Sequence, residues 1–178
     1  MARLVARLGL TRYEADEYYK IALDFYNKKN MEEALNNIAE ALKLHPYHAE
    51  YHATQGFFYL EHGARDKAAA AFAEALKQNQ YEMLAHYGLG VLAYKEQAWP
   101  TAIYHFNLAS MIVPDRAENL YYLALSQYRG GQTEAALASM QQAAALYDRL
   151  PDAKKQAKDA RAWITEWDKP SLPPPPPR

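Results

Sequence analysis

Histidine is the residue type in this sequence that could most readily bind a metal or transfer a proton near neutral pH. The 178-residue chain has six histidines and no cysteine. His48 and His52 have the i, i+4 spacing that places two ligands on one face of a helix, and His45 lies close by in the sequence. However, His45 and His48 flank Pro46 in a turn, where exposed polar residues are common. We therefore expect structural histidines and no metal site.

Other signatures of catalysis are absent from the sequence. It has no HExxH motif, no glycine-rich phosphate-binding loop and no GxSxG motif. The lack of cysteine excludes thiolate nucleophiles, disulfides and Cys-ligated metals. A formal net charge of −1 and a pI near 6.6 do not provide the basic excess that is typical of nucleic-acid-binding domains. We expect a protein that is not an enzyme, holds no cofactor and binds no nucleic acid.

A repeat of 34 residues organises most of the chain. Three apolar positions recur in register: Ala34, Ala68, Ala102 and Ala136; Ile38, Phe72, Phe106 and Met140; and Ala41, Ala75, Ala109 and Ala143. A fixed period of this length indicates an architecture of stacked helical units, none of which can bury its apolar face alone.

The period and these positions resemble the tetratricopeptide repeat, a helix–turn–helix unit of 34 residues. The family pattern also has a small residue in the first helix, matched by Gly56 and Gly90, where a side chain would push two crossing helices apart. Pro46 and Pro114 match the proline that closes a unit. The sequence departs from the pattern at Ala93 and Gln127, where an aromatic residue is usual, and at Gln80 and Asp148, where proline is usual.

The resemblance implies an all-α fold, a right-handed α-solenoid of four helix–turn–helix repeats with a C-terminal capping helix. Thr11 and Glu14 predict a capping box that starts the first helix near residue 12. The expected segments are an N-terminal segment (1–14), four repeats (15–48, 49–82, 83–116 and 117–150), a capping helix (151–169) and a proline-rich tail (170–178). The expected helices lie near 12–28, 31–44, 48–62, 65–78, 82–96, 99–112, 116–129, 133–148 and 152–168.

In this family the first helices of the repeats line a concave face that binds partners. Transferred by repeat position, the candidate partner-binding residues are Tyr19, Leu23, Tyr26, Phe57, Leu60, Tyr87, Val91, Tyr94, Tyr121, Leu125 and Tyr128. Some of them could instead be core between helices. Together they would expose a larger apolar stripe than a monomer usually tolerates, which is typical of a binding surface. We predict a non-catalytic scaffold or adaptor that binds a peptide or protein segment in this tyrosine-rich groove.

A second interpretation is a structural subunit held permanently in a larger, membrane-associated or soluble assembly. No stretch approaches the roughly 18 apolar residues of a membrane span, and Arg3 and Arg7 interrupt the apolar N-terminal residues. We therefore expect a cytoplasmic protein without a signal peptide. Leu4, Val5 and Leu8 beside these arginines could rest on an anionic membrane surface as a peripheral contact. Packing or fraying of a short N-terminal helix is the alternative.

The tail is the remaining feature of the sequence. Pro170 ends the capping helix, and the following SLPPPPPR (171–178) favours polyproline II. Aromatic-lined grooves bind this conformation because it loses little entropy on docking. The tail could therefore dock on the concave face of a neighbouring chain and give a homo-oligomer. The tail could also bind a separate partner that has a proline-binding pocket, or it could be a solvated spacer.

Overall fold

The computed structural model describes the backbone of residues 2–169 and the side chains of residues 11–169. The regular elements of this part of the chain are all α-helices, and it contains no strand. The helices are α1 (Ala2–Asn27), α2 (Met31–Leu44), α3 (Ala49–Glu61), α4 (Arg65–Gln78), α5 (Met83–Lys95), α6 (Trp99–Ile112), α7 (Ala117–Arg129), α8 (Thr133–Tyr147) and α9 (Lys154–Trp167). The proline-rich tail and its expected conformation lie outside the described residues.

The predicted start of the first helix is wrong. α1 begins at Ala2 and runs without a break through Thr11, so Thr11 and Glu14 do not form an N-terminal capping box. The residues before Thr11 are mostly alanine, arginine and leucine, which are strong helix formers, and the single Gly9 costs only about 1 kcal/mol. Nothing in this segment ends the helix, and α1 is therefore continuous from Ala2 to Asn27.

The turn inside each helix hairpin repeats with the 34-residue period. Lys29, Gly63, Gln97 and Gly131 follow the first helices and all have left-handed backbone, with φ of 62°, 82°, 59° and 80°. In each turn the next residue's N–H bonds the carbonyl five residues back, for example Asn30 N to Phe25 O at 2.9 Å and Gln132 N to Gln127 O at 2.8 Å. This is the Schellman pattern, which satisfies the last carbonyls of the helix.

The helices form two compact units, with the boundary between Ala98 and Trp99. This boundary lies in the turn between α5 and α6, so the two helices of the predicted third repeat belong to different units. The first unit contains the hairpins α1–α2 and α3–α4, with α5 packed on α3 and α4. The second unit contains α6 packed on α7, the hairpin α7–α8, and α9 packed on α8.

Phe72 is central to the core of the first unit. Its ring is fully buried, and a Cβ atom built on Gly56 would lie 2.7 Å from the ring. A Cβ on Gly88 would lie 2.0 Å from Phe72 Cζ. These distances explain why small residues occupy the positions in α3 and α5 that face this ring. The small residue predicted at Gly56 for a close helix crossing is confirmed.

In the second unit the core is built around Phe106 and Met140, both fully buried. The ring of Tyr122 stacks on Phe106 at 5.6 Å between centroids. Asn119 is fully buried, and its Nδ2 donates to the carbonyl of Ala109 at 3.0 Å, which ties α7 to α6.

Helix α9 covers the apolar face of α8, as predicted for a capping helix. The buried residues of α9 and its N-cap are Ala153, Ala157, Ala160 and Trp167. The lysines and Asp159 that alternate with them in the sequence are exposed. Among residues 2–169, no helix has both the length and the apolar character needed to cross a membrane.

Candidate functional site

In the first unit, candidate residues of α1 and α3 lie together at the edge of one core cluster. Tyr19, Leu23, Tyr26 and Phe57 are half-buried and pack against its buried residues. The shared half-burial has a clear cause, because the first helices of successive repeats contact one another through these side chains. The uncovered side of each remains accessible to a partner.

The contacts between α1 and α3 are aromatic. Tyr19 stacks on Tyr51 with ring centroids 4.9 Å apart. Tyr26 stacks on Phe58 at 5.1 Å and meets Phe57 edge-on at 5.8 Å. Pairs at these distances and angles contribute about 0.5–1.5 kcal/mol beyond the burial of their area. One face of each tyrosine ring therefore stabilises the repeat array.

Not every candidate residue of the first unit is accessible. Leu60 is 4% exposed and belongs to the core cluster around Phe72, so its side chain offers little surface. Val91 of α5 is half-buried and packs with Phe57 on the same cluster. Tyr87 and Tyr94, also on α5, are half-buried. Leu60 has the same repeat position as Tyr26 but is more buried. The reason is that α3 has neighbours on both sides, whereas α1 is the first described helix.

A polar border accompanies this aromatic cluster. The Tyr19 hydroxyl donates to Glu50 Oε1 at 2.9 Å and lies 3.4 Å from Thr54 Oγ1. The Tyr51 hydroxyl donates to Asp16 Oδ1. These bonds connect α1 to α3 and fix the carboxylates of Asp16 and Glu50 at the edge of the aromatic surface.

The carboxylates make this border electronegative. Burial raises the pKa of Tyr19 to about 12, and Glu50 adds to the effect. Burial also raises the pKa of Glu82, the residue before α5, and the charge of Glu50 raises it further. Within residues 11–169, neither Asp16, Glu50 nor Glu82 forms an ion pair. We call these three residues the acidic border.

In the second unit, the candidate residues of α7 contact α9. Trp163 Nε1 donates to the hydroxyl of Tyr121 at 3.0 Å. Tyr128 stacks on Trp167 with centroids 4.4 Å apart and an interplanar angle of 12°. Leu125, between the two tyrosines, is half-buried, and Tyr128 is 38% exposed.

The role of Trp163 was not predicted from the sequence. Its i, i+4 spacing from Trp167 places both indoles on one side of α9, and their rings lie 5.4 Å apart. That spacing was the available signal, because two tryptophans so placed can cover two aromatic residues of an adjacent helix. The candidate residues thus form a separate surface in each unit. In the first unit they contact α3, and in the second unit they contact α9.

The histidines support the turns between repeats. His52 Nε2 bonds the carbonyl of Pro46 at 2.8 Å, and His86 Nε2 bonds that of Gln80 at 3.0 Å. His52 and His86 have the same repeat position, so the same hydrogen bond from a histidine side chain to a turn carbonyl occurs in two repeats. His48 stacks on Tyr51 at 4.0 Å, and burial lowers its pKa. Among the residues with described side chains, no three metal-binding groups cluster.

Comparisons with known proteins agree with the helical repeat. Two family models, both described as tetratricopeptide repeat, match residues 54–117 and 118–149, which together are more than half of the chain. No curated protein gives a significant sequence match.

Several solved structures are similar to this chain. A MamA structure (41-end) from Desulfovibrio magneticus RS-1 has 21% identity and a TM-score of 0.64, covering 89% of this chain and 98% of that one. A pilF structure from Pseudomonas aeruginosa has 20% identity and a TM-score of 0.73, covering 87% and 71%. The type III secretion translocator chaperone SycD of Yersinia enterocolitica has 15% identity and a TM-score of 0.62, covering 66% and 81%. At such identities the likeness shows the fold alone.

Proposed function

The chain belongs to the tetratricopeptide repeat family, and we propose that it is a non-catalytic scaffold that binds a segment of another protein along the first helices of its repeats. The observation that carries this proposal is the surface formed by Tyr19, Leu23, Tyr26 and Phe57 in the first unit. The rings of Tyr19 and Tyr26 stack on α3, and Leu23 and Phe57 pack against the same core cluster, yet all four side chains are only half-buried. Rigid aromatic groups of this kind supply contact area at a low entropy cost.

The chemistry of this surface favours a partner segment that combines apolar and basic side chains. Apolar groups would pack on Leu23 and Phe57. The acidic border has no cationic partner among the described residues, so a lysine or arginine of the partner would find uncompensated carboxylates there. Charge complementarity of this kind selects partners and accelerates association more than it adds affinity.

The remaining candidate residues extend the proposal. On α5 they are Tyr87, Val91 and Tyr94, and on α7 they are Tyr121, Leu125 and Tyr128. Leu60 is left out because it is buried. The net charge of −1 is consistent with a protein partner and not with a nucleic acid.

Peptide selection tests the proposal. Full-length protein is used to select binders from a phage-displayed random peptide library, and the selected peptides are titrated by calorimetry. Leu23→Lys places a charge in the apolar surface and repels basic residues. It should weaken binding by at least about tenfold, the effect of losing one important contact. Glu50→Lys should weaken preferentially the peptides that contain lysine or arginine.

Two matched variants serve as controls. Ala73→Lys adds the same charge at an exposed position of α4, and Glu32→Lys reverses an exposed charge on α2. Both should bind the peptides as the unmodified chain does, and circular dichroism establishes that all four variants are folded. The proposal fails if no peptide is selected, or if the peptides bind Leu23→Lys and Ala73→Lys equally well.

A further inference from the structure

The side of α1 that faces away from α2 and α3 carries large apolar side chains in solvent. Tyr13 is 65% exposed, Tyr18 38% and Ile21 41%. Together with Glu14 and Glu17 they line a shallow cavity of about 250 Å³. We call these five residues the outer surface of α1. It is distinct from the aromatic surface of the proposed function, because that surface is formed by Tyr19, Leu23 and Tyr26 with residues of α3.

The repeat explains why this surface is apolar. Leu120 and Leu123 of α7 occupy the same repeat positions as Tyr18 and Ile21, three repeats later. They are only 9% and 5% exposed, and α6 packs on α7 in that unit. In a solenoid, the second helix of one repeat covers the first helix of the next. The described chain supplies no such cover for α1, so these positions remain apolar and uncovered.

The sequence of the tail fits this surface in length. Residues 173–177 are five consecutive prolines followed by Arg178. In polyproline II, five residues span about 15 Å at roughly 3.1 Å per residue. From Tyr13 to Ile21, α1 rises about 12 Å at 1.5 Å per residue. Aromatic side chains in a groove of this size bind polyproline II, since the ligand is already ordered.

The charges are also complementary. Glu17 pairs with Lys20 at 2.8 Å, but Glu14 forms no ion pair within the described residues. An arginine that follows the prolines directly would bring a guanidinium group to the Glu14 carboxylate. Hydrogen bonds between these two groups are among the stronger polar contacts in proteins.

We propose that residues 173–178 of one chain bind the outer surface of α1 of a second copy. Binding to a second copy makes the mass depend on concentration, whereas binding of the tail to its own chain would leave the mass at 20.3 kDa. Repeated binding of this kind links chains head to tail.

Sedimentation equilibrium of the full chain tests this association. The weight-average mass should rise above 20.3 kDa as the protein concentration increases. The double variant Tyr13→Ser/Tyr18→Ser should raise the dissociation constant at least about tenfold, as expected for the loss of aromatic contacts. The matched control Tyr81→Ser/Tyr104→Ser removes two tyrosines that are 66% and 60% exposed elsewhere, and it should associate like the unmodified chain.

A charge exchange keeps the test decisive if the double tyrosine variant fails to fold. Glu14→Arg and Arg178→Glu should each weaken association, and the chain that carries both changes should recover it. An amidated peptide of residues 169–178 should dissociate the oligomer, whereas the same peptide with alanine at 173–177 should not. A mass of 20.3 kDa at every concentration overturns the proposal. Association that is insensitive to the peptide, or to both single charge changes, also overturns it.

Discussion

The first helices of the two units use tyrosines at the same repeat positions but meet different neighbours. In the first unit, Tyr19 and Tyr26 of α1 stack on Tyr51 and Phe58 of α3. Helix α3 belongs to a complete hairpin with α4, and Tyr51 and Phe58 are each 1% exposed. The tyrosines of α1 are therefore supported by a helix that is itself buried on several sides.

In the second unit, the equivalent tyrosines of α7 are Tyr121 and Tyr128. They contact Trp163 and Trp167 of α9, through a hydrogen bond of 3.0 Å and a ring stack of 4.4 Å. Among the described residues, α9 has no second helix after it. A lone helix covers the same two positions here, and it does so with two tryptophans, the largest aromatic residue type.

This difference shows what the tyrosine positions do in the array. In both units they join one first helix to the next. Their half-burial is therefore explained by contacts within the fold and does not by itself indicate a partner. Helix α9 acts as the first helix of a further repeat, and its tryptophans replace the support that a hairpin gives. Each such side chain buries about 150–250 Å².

The largest expected effect is on the lone helix. Trp167→Ala should lower the free energy of unfolding by about 3–5 kcal/mol, because a side chain that is 6% exposed leaves a cavity against Tyr128. Hydrogen exchange should show that amides of α9 lose protection while those of α1–α5 keep theirs. Phe58→Ala should cost a similar free energy but reduce protection throughout the first unit. Equal loss of protection everywhere in both variants would contradict the comparison.

The next effect concerns a repeat position that has a small residue in the first unit and a large residue in the second. Gly88 of α5 and Tyr122 of α7 share one repeat position, facing Phe72 and Phe106 respectively. Gly88→Ala should destabilise the protein by about 1–3 kcal/mol, since the new Cβ would overlap the Phe72 ring. Adding Phe72→Leu should recover part of this loss in urea denaturation. If Gly88→Ala is neutral, the ring moves freely and the packing described for α5 is wrong.

Tyr19, which donates to Glu50 of the acidic border, gives the first unit a pH dependence, because burial raises the pKa of its hydroxyl and Glu50 adds to this effect. The pKa of Tyr19 is raised to about 12 from its usual value near 10, so the folded state holds this proton more tightly than the unfolded state. Its contribution to stability is complete below pH 10 and is lost as the pH rises towards 12. Tyr19→Phe should cost about 1 kcal/mol at neutral pH, because the bond to Glu50 is lost.

Thermal unfolding measured between pH 9 and about pH 12 checks this expectation. The Tyr19→Phe variant should lose less stability over this interval than the unmodified chain. Tyr104→Phe is the matched control because the Tyr104 ring is 60% exposed. A decline in stability that is the same in Tyr19→Phe and in the control would show that the buried hydroxyl is not responsible.

The smallest effect is in the turns. Lys29 and Gly131 occupy the same left-handed turn position in the first and second units. Lys29→Gly should raise the free energy of unfolding by about 0.5 kcal/mol, because glycine adopts this conformation without strain. Gly131→Ala should lower it by about 1 kcal/mol. Urea midpoints that move in the same direction for both variants would contradict this account of the turns.

Much of the fold could be predicted from the sequence. The bounds of α2–α8 agree with the expectation to within one or two residues, because the alanine register and the turn residues are local signals. The start of α1 could not be placed, since a capping box is a weak signal and the residues before Thr11 favour helix. Repeat position proposes the aromatic candidates, but it does not indicate the contacts of Trp163.

The sequence by itself determined which residues share a face, because the 34-residue period assigns every side chain a place in its helix. Only the tertiary structure decided which of these faces is covered. Tyr18 and Leu120 have one repeat position and differ from 38% to 9% in exposure, and Leu60 is buried where Tyr26 is half-buried. The physical reason is that burial depends on the helix that lies next to a residue in space, and a local pattern does not contain that neighbour.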